Sequence, residues 1–366
     1  MNNSGKKLLE NITQEVRLPE INADDCVHAL CNDSDCHACA AACPTNAWIL
    51  DDDNLGLDIE ACNGCGLCIP ACPGGALHID FPWVIRTLGY RMVALFACEK
   101  SGVKESNVVI PCVHALGQRQ LLQLYKAGIE HILLATDECS HCSYFESEKQ
   151  QPETIYSRVE QLNDLLAERN KPVMKLLKHS YRVWNKIYNS DEVINRGTQL
   201  SRRHFLRGGG QKFREQLVLI DPLNLPEYRT IPPGQLLPES ENTDIKWPWV
   251  PMLDTAHCNG CNTCIRLCPT NALQLVDDED QNSALYKIDP ASCTGCGLCC
   301  SVCESNAISI NSWSYAEIDT IHLSENKCSA CGNTFHLPKQ NTQSEQDLCR
   351  ICQNHNHSSK LFQVLD

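Results

Sequence analysis

The chemistry available to this chain is set by cysteine, which occupies 26 of its 366 positions. Residues 62–73 and 258–269 both read C-x2-C-x2-C-x3-C-P, and residues 293–303 repeat the cysteine spacing with Glu304 where the proline would stand. In such a run one turn of backbone can wrap three corners of an iron–sulfur cube. The spacing therefore predicts [4Fe–4S] ligation and the movement of single electrons.

A fourth run, at residues 36–44, is incomplete. It reads C-x2-C-x3-C-P, and the usual spacing would place its first ligand at Asp33. The loop is therefore expanded, and the first ligand must come from Cys31 or Cys26. Cys31 is nearer in sequence and is favoured on that ground, whereas Cys26 would close a longer loop.

The runs occur in pairs, and in this they resemble the two-cluster ferredoxins of bacteria, in which the fourth cysteine of each run ligates the neighbouring cluster. The resemblance implies two ferredoxin-like 2[4Fe–4S] modules with four crossed ligand sets. These sets are Cys43, Cys62, Cys65 and Cys68; Cys36, Cys39, Cys72 and either Cys31 or Cys26; Cys258, Cys261, Cys264 and Cys303; and Cys268, Cys293, Cys296 and Cys299. Structural zinc is the alternative, but zinc sites usually show two separated C-x2-C knuckles. Cys300, beside Cys299, is expected to be an inert neighbour.

A further quartet of cysteines follows short apolar runs in the middle of the chain. Residues 92–96, 108–110 and 131–134 read as strands, and residues 116–127 read as a helix that ends before Gly128. This order predicts a small α/β domain with a parallel sheet at 88–145. Ligands are bound at the carboxyl ends of such strands, where the sequence places Cys98, Cys112, Cys139 and Cys142.

Residues 90–145 resemble the small iron–sulfur (delta) subunit of the hydrogenase–heterodisulfide reductase complex, which implies a [2Fe–2S] cluster at this quartet. That family usually has further cysteines after its first strand, whereas Cys98 is followed here by E-K-S. Zinc or uncoordinated thiols are therefore the alternatives, with His114 and His141 as other conceivable ligands.

The C-terminal quartet, Cys328-x2-Cys331-x17-Cys349-x2-Cys352, has the two-knuckle spacing of a four-thiolate zinc ribbon. A single iron of the rubredoxin type would use the same geometry. His355 and His357 follow closely but are surplus to a complete site.

The sequence thus predicts an α+β multidomain protein. Its expected parts are a ferredoxin-like module at 21–82, the small central α/β domain at 88–145, a helical segment at 152–197 divided by Pro172, a linker at 198–250, a second ferredoxin-like module at 251–312 and a zinc-ribbon-like domain at 320–366. Residues 1–20 read as a polar leader with helical periodicity.

The linker contains S-R-R-H-F-L-R at residues 201–207. It looks like a twin-arginine export signal, but it is internal and no apolar region follows. It also resembles the arginine-containing start of the NapF-type ferredoxin of periplasmic nitrate reductase systems. A solvated basic linker is the simplest interpretation.

A formal net charge of −14 makes nucleic acid an unsuitable partner and favours docking against a basic patch on a redox protein. The sequence contains no run of eighteen apolar residues, and its first residues lack a signal-peptide pattern. With so many thiols suited to metals, these features predict a cytoplasmic protein without a membrane span.

These features predict a polyferredoxin, an iron–sulfur electron-transfer protein that relays single electrons between redox partners. Four [4Fe–4S] clusters, one [2Fe–2S] cluster and one zinc ion are the expected cofactors. The alternative is an electron-wiring subunit of a larger oxidoreductase linked to hydrogenase, heterodisulfide reductase, formate or nitrate chemistry. A redox-responsive regulator is a third hypothesis. No dinucleotide fingerprint or nucleophile elbow is found in the sequence, so we expect no catalytic site of its own.

Overall fold

The structure is a computed structural model of the chain, and it describes residues 17–51, 54–89, 91–144, 153–190, 193–194, 223, 229–242, 244–278, 283–316, 318–339 and 348–354. Most of the expected leader, the arginine segment at 201–207, and His355 and His357 lie outside the described residues. Those described form two units. The first comprises the described residues among positions 1–30, 37–231 and 236–241, and the second comprises those among 31–36, 232–235 and 242–366.

The N-terminal part of the first unit is built from very short elements. Its helices are Ala23–Asp25 (one turn of 3-10 helix), Val27–Leu30, Ala38–Ala41 and Cys68–Ala71. The apolar run after Cys43 forms the strand Trp48–Asp51, which makes a hairpin with Asn54–Leu57. A second antiparallel pair joins Glu20–Ile21 to Leu77–His78. Elements this short bury little apolar surface, so metal binding is expected to supply much of the folding free energy.

A six-stranded mixed sheet forms the rest of the first unit. Arg91–Cys98 lies at its centre and pairs in parallel with His131–Ala135 and with Val109–Ile110. On the side opposite His131–Ala135, which is also the side of Val109–Ile110, it pairs antiparallel with Val84–Leu88, which in turn pairs with Val193–Ile194. Both faces of the central strand are buried, as expected for a sheet covered by helices on both sides. The covering helices are Gln118–Lys126, Ile155–Glu168 and Tyr181–Tyr188.

The sequence interpretation was wrong at residues 173–177, which were expected to belong to a second helix after Pro172. Residues Lys175–Lys178 instead form the edge strand of this sheet, parallel to His131–Ala135. The edge of His131–Ala135 that faces away from the central strand offers unpaired backbone N–H and C=O groups, and residues 175–178 pair with them. The hydrophobic periodicity of residues 173–177 does not reveal such a distant partner. The strand Val84–Leu88 was not predicted either; it turns tightly into the central strand through Gly89, whose φ is +67°.

The second unit is mainly antiparallel sheet. Lys246–Leu253 pairs with Ile308–Tyr315, although residues 246–250 were expected to belong to a linker. Its two prolines, Pro248 and Pro251, are compatible with an edge strand. The second sheet has the order Leu273–Asp278, Ser283–Ile288, Thr320–Lys327, Thr334–Pro338. The short helices are Thr263–Arg266, Leu298–Ser301 and Arg350–Asn354, and a further short helix spans Pro233–Leu236.

Within the described part of the chain, no helix combines the length and the apolar character that a bilayer crossing requires.

Candidate iron–sulfur and metal centres

Cys43 and the three cysteines it is expected to join, Cys62, Cys65 and Cys68, all lie in the first unit. The thiol of Cys68 is within electrostatic reach of Cys39, Cys43, Cys62 and Cys65. Burial raises the pKa of Cys65 to about 11, and the nearby Cys43 and Cys62 thiols act in the same direction. Thiols buried side by side with raised pKa values are poor free acids but good ligands, because a cation replaces their protons.

The second module repeats this arrangement. The thiols of Cys258 and Cys264 lie near Cys261 and Cys303, and burial raises the pKa of Cys264 to about 12. The thiols of Cys293 and Cys296 lie near Cys268 in the same way, and burial raises the pKa of Cys293 to about 12. The fourth cysteine of each run thus lies near cysteines of the other run: Cys303 near Cys258 and Cys264, and Cys268 near Cys293 and Cys296.

The loop after three of these fourth cysteines aims a backbone N–H at the sulfur. The N–H groups of Ala47, Ala272 and Ala307 donate to Sγ of the cysteine four positions earlier at 3.3, 3.2 and 3.3 Å. Those cysteines are Cys43, Cys268 and Cys303. Such donors stabilise negative charge on a ligating sulfur and favour the reduced form of a bound cluster.

An asparagine in the left-handed region bends each of these loops. Asn46, Asn271 and Asn306 have φ of 55°, 53° and 51°, and Gly75 takes the equivalent position in the fourth repeat with φ of 78°. Asparagine tolerates this conformation better than most residues. The repeat C-x-x-N-A is visible in the sequence, but this role of its asparagine was not predicted.

The first turn of these runs contains a residue in the left-handed backbone conformation. Gly66 has φ of +76°, and a Cβ there would collide with Ile79 and Ala115. At the equivalent position of the second module, Asn262 has φ of 62°, and its Oδ1 accepts hydrogen bonds from the Tyr286 hydroxyl at 2.6 Å and from Nε2 of His336 at 2.9 Å. His336 thereby joins the strand Thr334–Pro338 to this loop.

The two candidates for the missing ligand of residues 36–44 occupy different surroundings. Cys26 is buried, and the segment just before it is held against the loop after Cys72: the N–H of Asn22 donates to the carbonyl of Ala76 at 2.8 Å. A Cβ on Gly74 would collide with the carbonyl oxygen of Asp25. Cys31 is only half-buried and belongs with Cys36 to the second unit.

The middle quartet converges at the carboxyl ends of three parallel strands. Cys98 ends the central strand, Cys112 follows Val109–Ile110, and Cys139 and Cys142 follow His131–Ala135. Burial raises the pKa of Cys98 and Cys112, and the Cys142 thiol is a near neighbour of both. The four thiols line a cavity of about 380 Å³.

His114 is held against this quartet as a hydrogen-bond donor. Its Nδ1 accepts the N–H of Ile155 at 3.1 Å, so the proton of the neutral ring is on Nε2, which lies 3.4 Å from Sγ of Cys139. Burial, with the nearby Arg158 guanidinium, lowers the pKa of His114 to about 4. Arg158 also donates to the carbonyl of His114 at 2.8 Å and fixes the turn.

The middle quartet adjoins the first module. Cys65 and Cys112 belong to one buried cluster with Leu67 and Tyr144, and Cys142 packs against it. Burial raises the pKa of Cys112, and a thiolate at Cys65 would raise it further. The two candidate centres are therefore neighbours inside the first unit.

The C-terminal quartet has the most compact geometry. One sulfur from each of Cys328, Cys331, Cys349 and Cys352 lies within 4.8 Å of every other, and Sγ of Cys331 is 3.9 Å from Sγ of Cys349. Four sulfurs at the usual zinc–sulfur length around one tetrahedral ion would be about 3.8 Å apart. The N–H of Cys349 donates to Sγ of Cys328 at 3.3 Å, and backbone donors lower the pKa of Cys328 to about 6.

Comparison with known proteins identifies both ferredoxin-like regions. Residues 257–307 match the family model of the 4Fe-4S dicluster domain, and residues 56–78 match that of the 4Fe-4S binding domain. One subunit of tetrathionate reductase from Archaeoglobus fulgidus is 49% identical over 51 residues, which are 14% of this chain and 25% of the relative. An uncharacterized protein of Methanothermobacter thermautotrophicus is 49% identical over 49 residues, 13% of this chain and 10% of the relative.

The chain thus spans a quarter or less of the length of these relatives, and the similarity is local. The family models cover the runs with complete cysteine spacing and leave the incomplete run at 36–44 outside their matches. The protein carries two 4Fe–4S ferredoxin-type domains, which are iron–sulfur domains of the electron-transfer type.

Proposed function

We propose that this protein is a polyferredoxin that relays single electrons between redox proteins through four [4Fe–4S] clusters and a centre at the middle quartet. The observation that supports the proposal is the proximity of cysteines from paired runs: Cys43 near Cys65 and Cys68, Cys303 near Cys264, and Cys268 near Cys293. Crossing brings two sites of one module close together. When bound, the clusters would accept and release one electron each.

The protein's own groups hold and tune these sites. The buried thiols bind iron as thiolates, and the N–H groups of Ala47, Ala272 and Ala307 donate to three of them. For the incomplete run we propose Cys26 as the first ligand, because the segment ending at Cys26 is tied to the loop after Cys72. The ligation of Cys36 with Cys39 and Cys72 stays a prediction.

At the middle quartet we propose a [2Fe–2S] cluster, supported by its position at three strand ends and by its proximity to Cys65. At the C-terminal quartet we propose zinc, supported by the sulfur–sulfur distances and by the two-knuckle spacing. Zinc is redox-inert, so that site would stabilise the hairpin formed by Thr320–Lys327 and Thr334–Pro338.

Anaerobic purification with iron, acid-labile sulfide and zinc analysis tests the proposal, together with EPR of the dithionite-reduced protein. Four cubes and one [2Fe–2S] cluster predict about eighteen iron atoms and one zinc ion per chain, and signals of coupled cubes. Colourless protein with negligible labile sulfide would refute it. Zinc in place of iron at the middle quartet would refute only that assignment.

A second candidate is an electron-wiring subunit of a larger oxidoreductase. It is favoured by the local similarity to the tetrathionate reductase chain, which is named as one subunit of an enzyme. Gel filtration of native extract under nitrogen separates the two candidates. Co-elution with a catalytic subunit at a defined stoichiometry supports the second, and elution at the monomer size with full cluster content supports the first.

A further inference from the structure

Arg119 is a buried cation whose hydrogen bonds go to backbone carbonyl groups. Its side chain lies on the first turn of the helix Gln118–Lys126 and is 7% exposed. Its Nε donates to the carbonyl of Ile231 and its Nη2 to the carbonyl of Pro73, both at 2.9 Å. Carbonyl oxygens satisfy the donors but do not neutralise the charge.

The position of this cation is costly in two ways. Taking a guanidinium out of water costs several kcal/mol unless an opposite charge lies nearby. The N-terminus of a helix also carries a partial positive charge, roughly half an elementary charge, which disfavours a cation there. A compensating negative charge is therefore expected next to Arg119.

The groups of opposite charge that act on Arg119 are Cys72 and Asp25. Nη1 of Arg119 also approaches the loop after Cys72 so closely that a Cβ on Gly75 would lie 3.2 Å from it. A cluster held by four thiolates carries net negative charge in both oxidation states and gains one more on reduction.

From these contacts we infer that Arg119 is the charge partner of the iron–sulfur site that contains Cys72, and that it raises the reduction potential of that site. The inference rests on the proposed function and deepens it. Reduction adds one electron and breaks no bond; the electron would come from a low-potential electron-carrier protein. Because Arg119 stabilises the added negative charge, an electron shared within the N-terminal pair would reside on the site of Cys72.

The test is an EPR-monitored redox titration of the full chain, purified anaerobically, with dithionite as the reductant. Arg119→Gln keeps one amide nitrogen near the position of Nε but removes the charge, and it should shift one one-electron transition to a more negative potential. Arg119→Lys keeps the charge and should leave that transition close to its wild-type potential.

Arg169→Gln is the matched control, because Arg169 is another buried arginine of the first unit, and Glu168 is the charged neighbour that acts on it. It should leave every transition in place. Unchanged potentials in Arg119→Gln would overturn the inference. If Arg119→Gln instead loses one cube's iron, retention of that iron in Arg119→Lys supports charge pairing, and its loss in both variants contradicts it. Absence of clusters from the wild-type protein would refute the proposed function itself.

Discussion

At the scale of single residues, the hydrogen bond from His114 to Cys139 is expected to influence the reduction potential of the middle centre. An N–H donor draws electron density from a ligating sulfur and makes the oxidised metal easier to reduce. We expect His114→Phe, which keeps an aromatic ring but removes Nε2, to shift the reduction potential of this centre to a more negative value. A redox titration followed by visible absorption would measure the shift.

His131 provides the control for that experiment, because it lies at the start of the strand whose far end leads to Cys139. His131→Phe should leave the potential unchanged. Equal shifts in both variants would show that a general effect on the fold, and not the hydrogen bond, is responsible.

Cys299 and Cys300 are adjacent thiols with different expected roles. Cys299 is buried beside Cys293 and Cys296, whereas Cys300 is half-buried. We expect Cys299→Ser to lose the iron of one cube, about four atoms per chain, and Cys300→Ser to keep it. Iron and sulfide analysis distinguishes the variants, and the reverse result would make Cys300 the ligand.

At the scale of elements, the C-x-x-N-A loops serve as built-in donors to sulfur. Substitution of Asn271 by valine places a β-branched residue at φ of 53° and should cost about 1–2 kcal/mol. It should also weaken the bond from Ala272 to Cys268, so we expect faster iron loss and a lower potential for that cube.

Asn271→Gly is the matched variant, because glycine accepts the same backbone conformation. It should retain iron like the wild type when release is followed by absorbance under a chelator. Fast release from both variants would locate the effect in the asparagine side chain and not in the turn.

The C-terminal knuckles should bind metal in a pH-dependent way. Zinc binds thiolates and displaces their protons, so protons compete with it as the pH falls. Backbone donors lower the pKa of Cys328 to about 6, while burial and the neighbouring thiols raise the pKa of Cys352. We therefore expect zinc affinity to fall about tenfold or more per pH unit below neutrality. Competition with a chromogenic chelator at several pH values would measure it, and a flat profile would argue against thiolate ligation.

At the scale of the whole molecule, the two ferredoxin-type domains belong to separate units. We expect Cys65→Ser to lose the iron of one cube in the first unit and to disturb the middle centre, whose Cys112 shares a buried cluster with Cys65. The EPR signals of the second unit should persist. Simultaneous loss of all signals would contradict modular binding.

Much of the molecule could be predicted because ligand spacing and short apolar runs are local properties. The runs at 92–96 and 131–134 form strands as predicted. Residues 118–126 form the predicted helix, which lies between the strands Val109–Ile110 and His131–Ala135. Local pattern failed at Leu176 and Leu177, since an edge strand depends on a neighbour 44 residues away: His131 pairs with Lys175.

The remaining features needed tertiary contacts. Arg119 reaches the carbonyl of Pro73 across 46 positions, and His114 meets Cys139 across 25. The choice between Cys26 and Cys31 as the missing ligand depends on the surroundings of each thiol, and these cannot be read from the cysteine spacing. The repeated asparagine was visible in the sequence, but its left-handed backbone became clear only in the fold.

The crossing of Cys303 with the 258–264 run bears on how the protein is made. During synthesis, Cys258, Cys261 and Cys264 would emerge from the ribosome about forty residues before Cys303, which follows Cys264 by 39 positions. Until then the nascent segment could supply thiolate ligands to only three of the four iron atoms of a cube. The fourth iron atom would be open to solvent or to a cluster-delivery protein. Maturation of each such pair would therefore wait for synthesis of its second repeat.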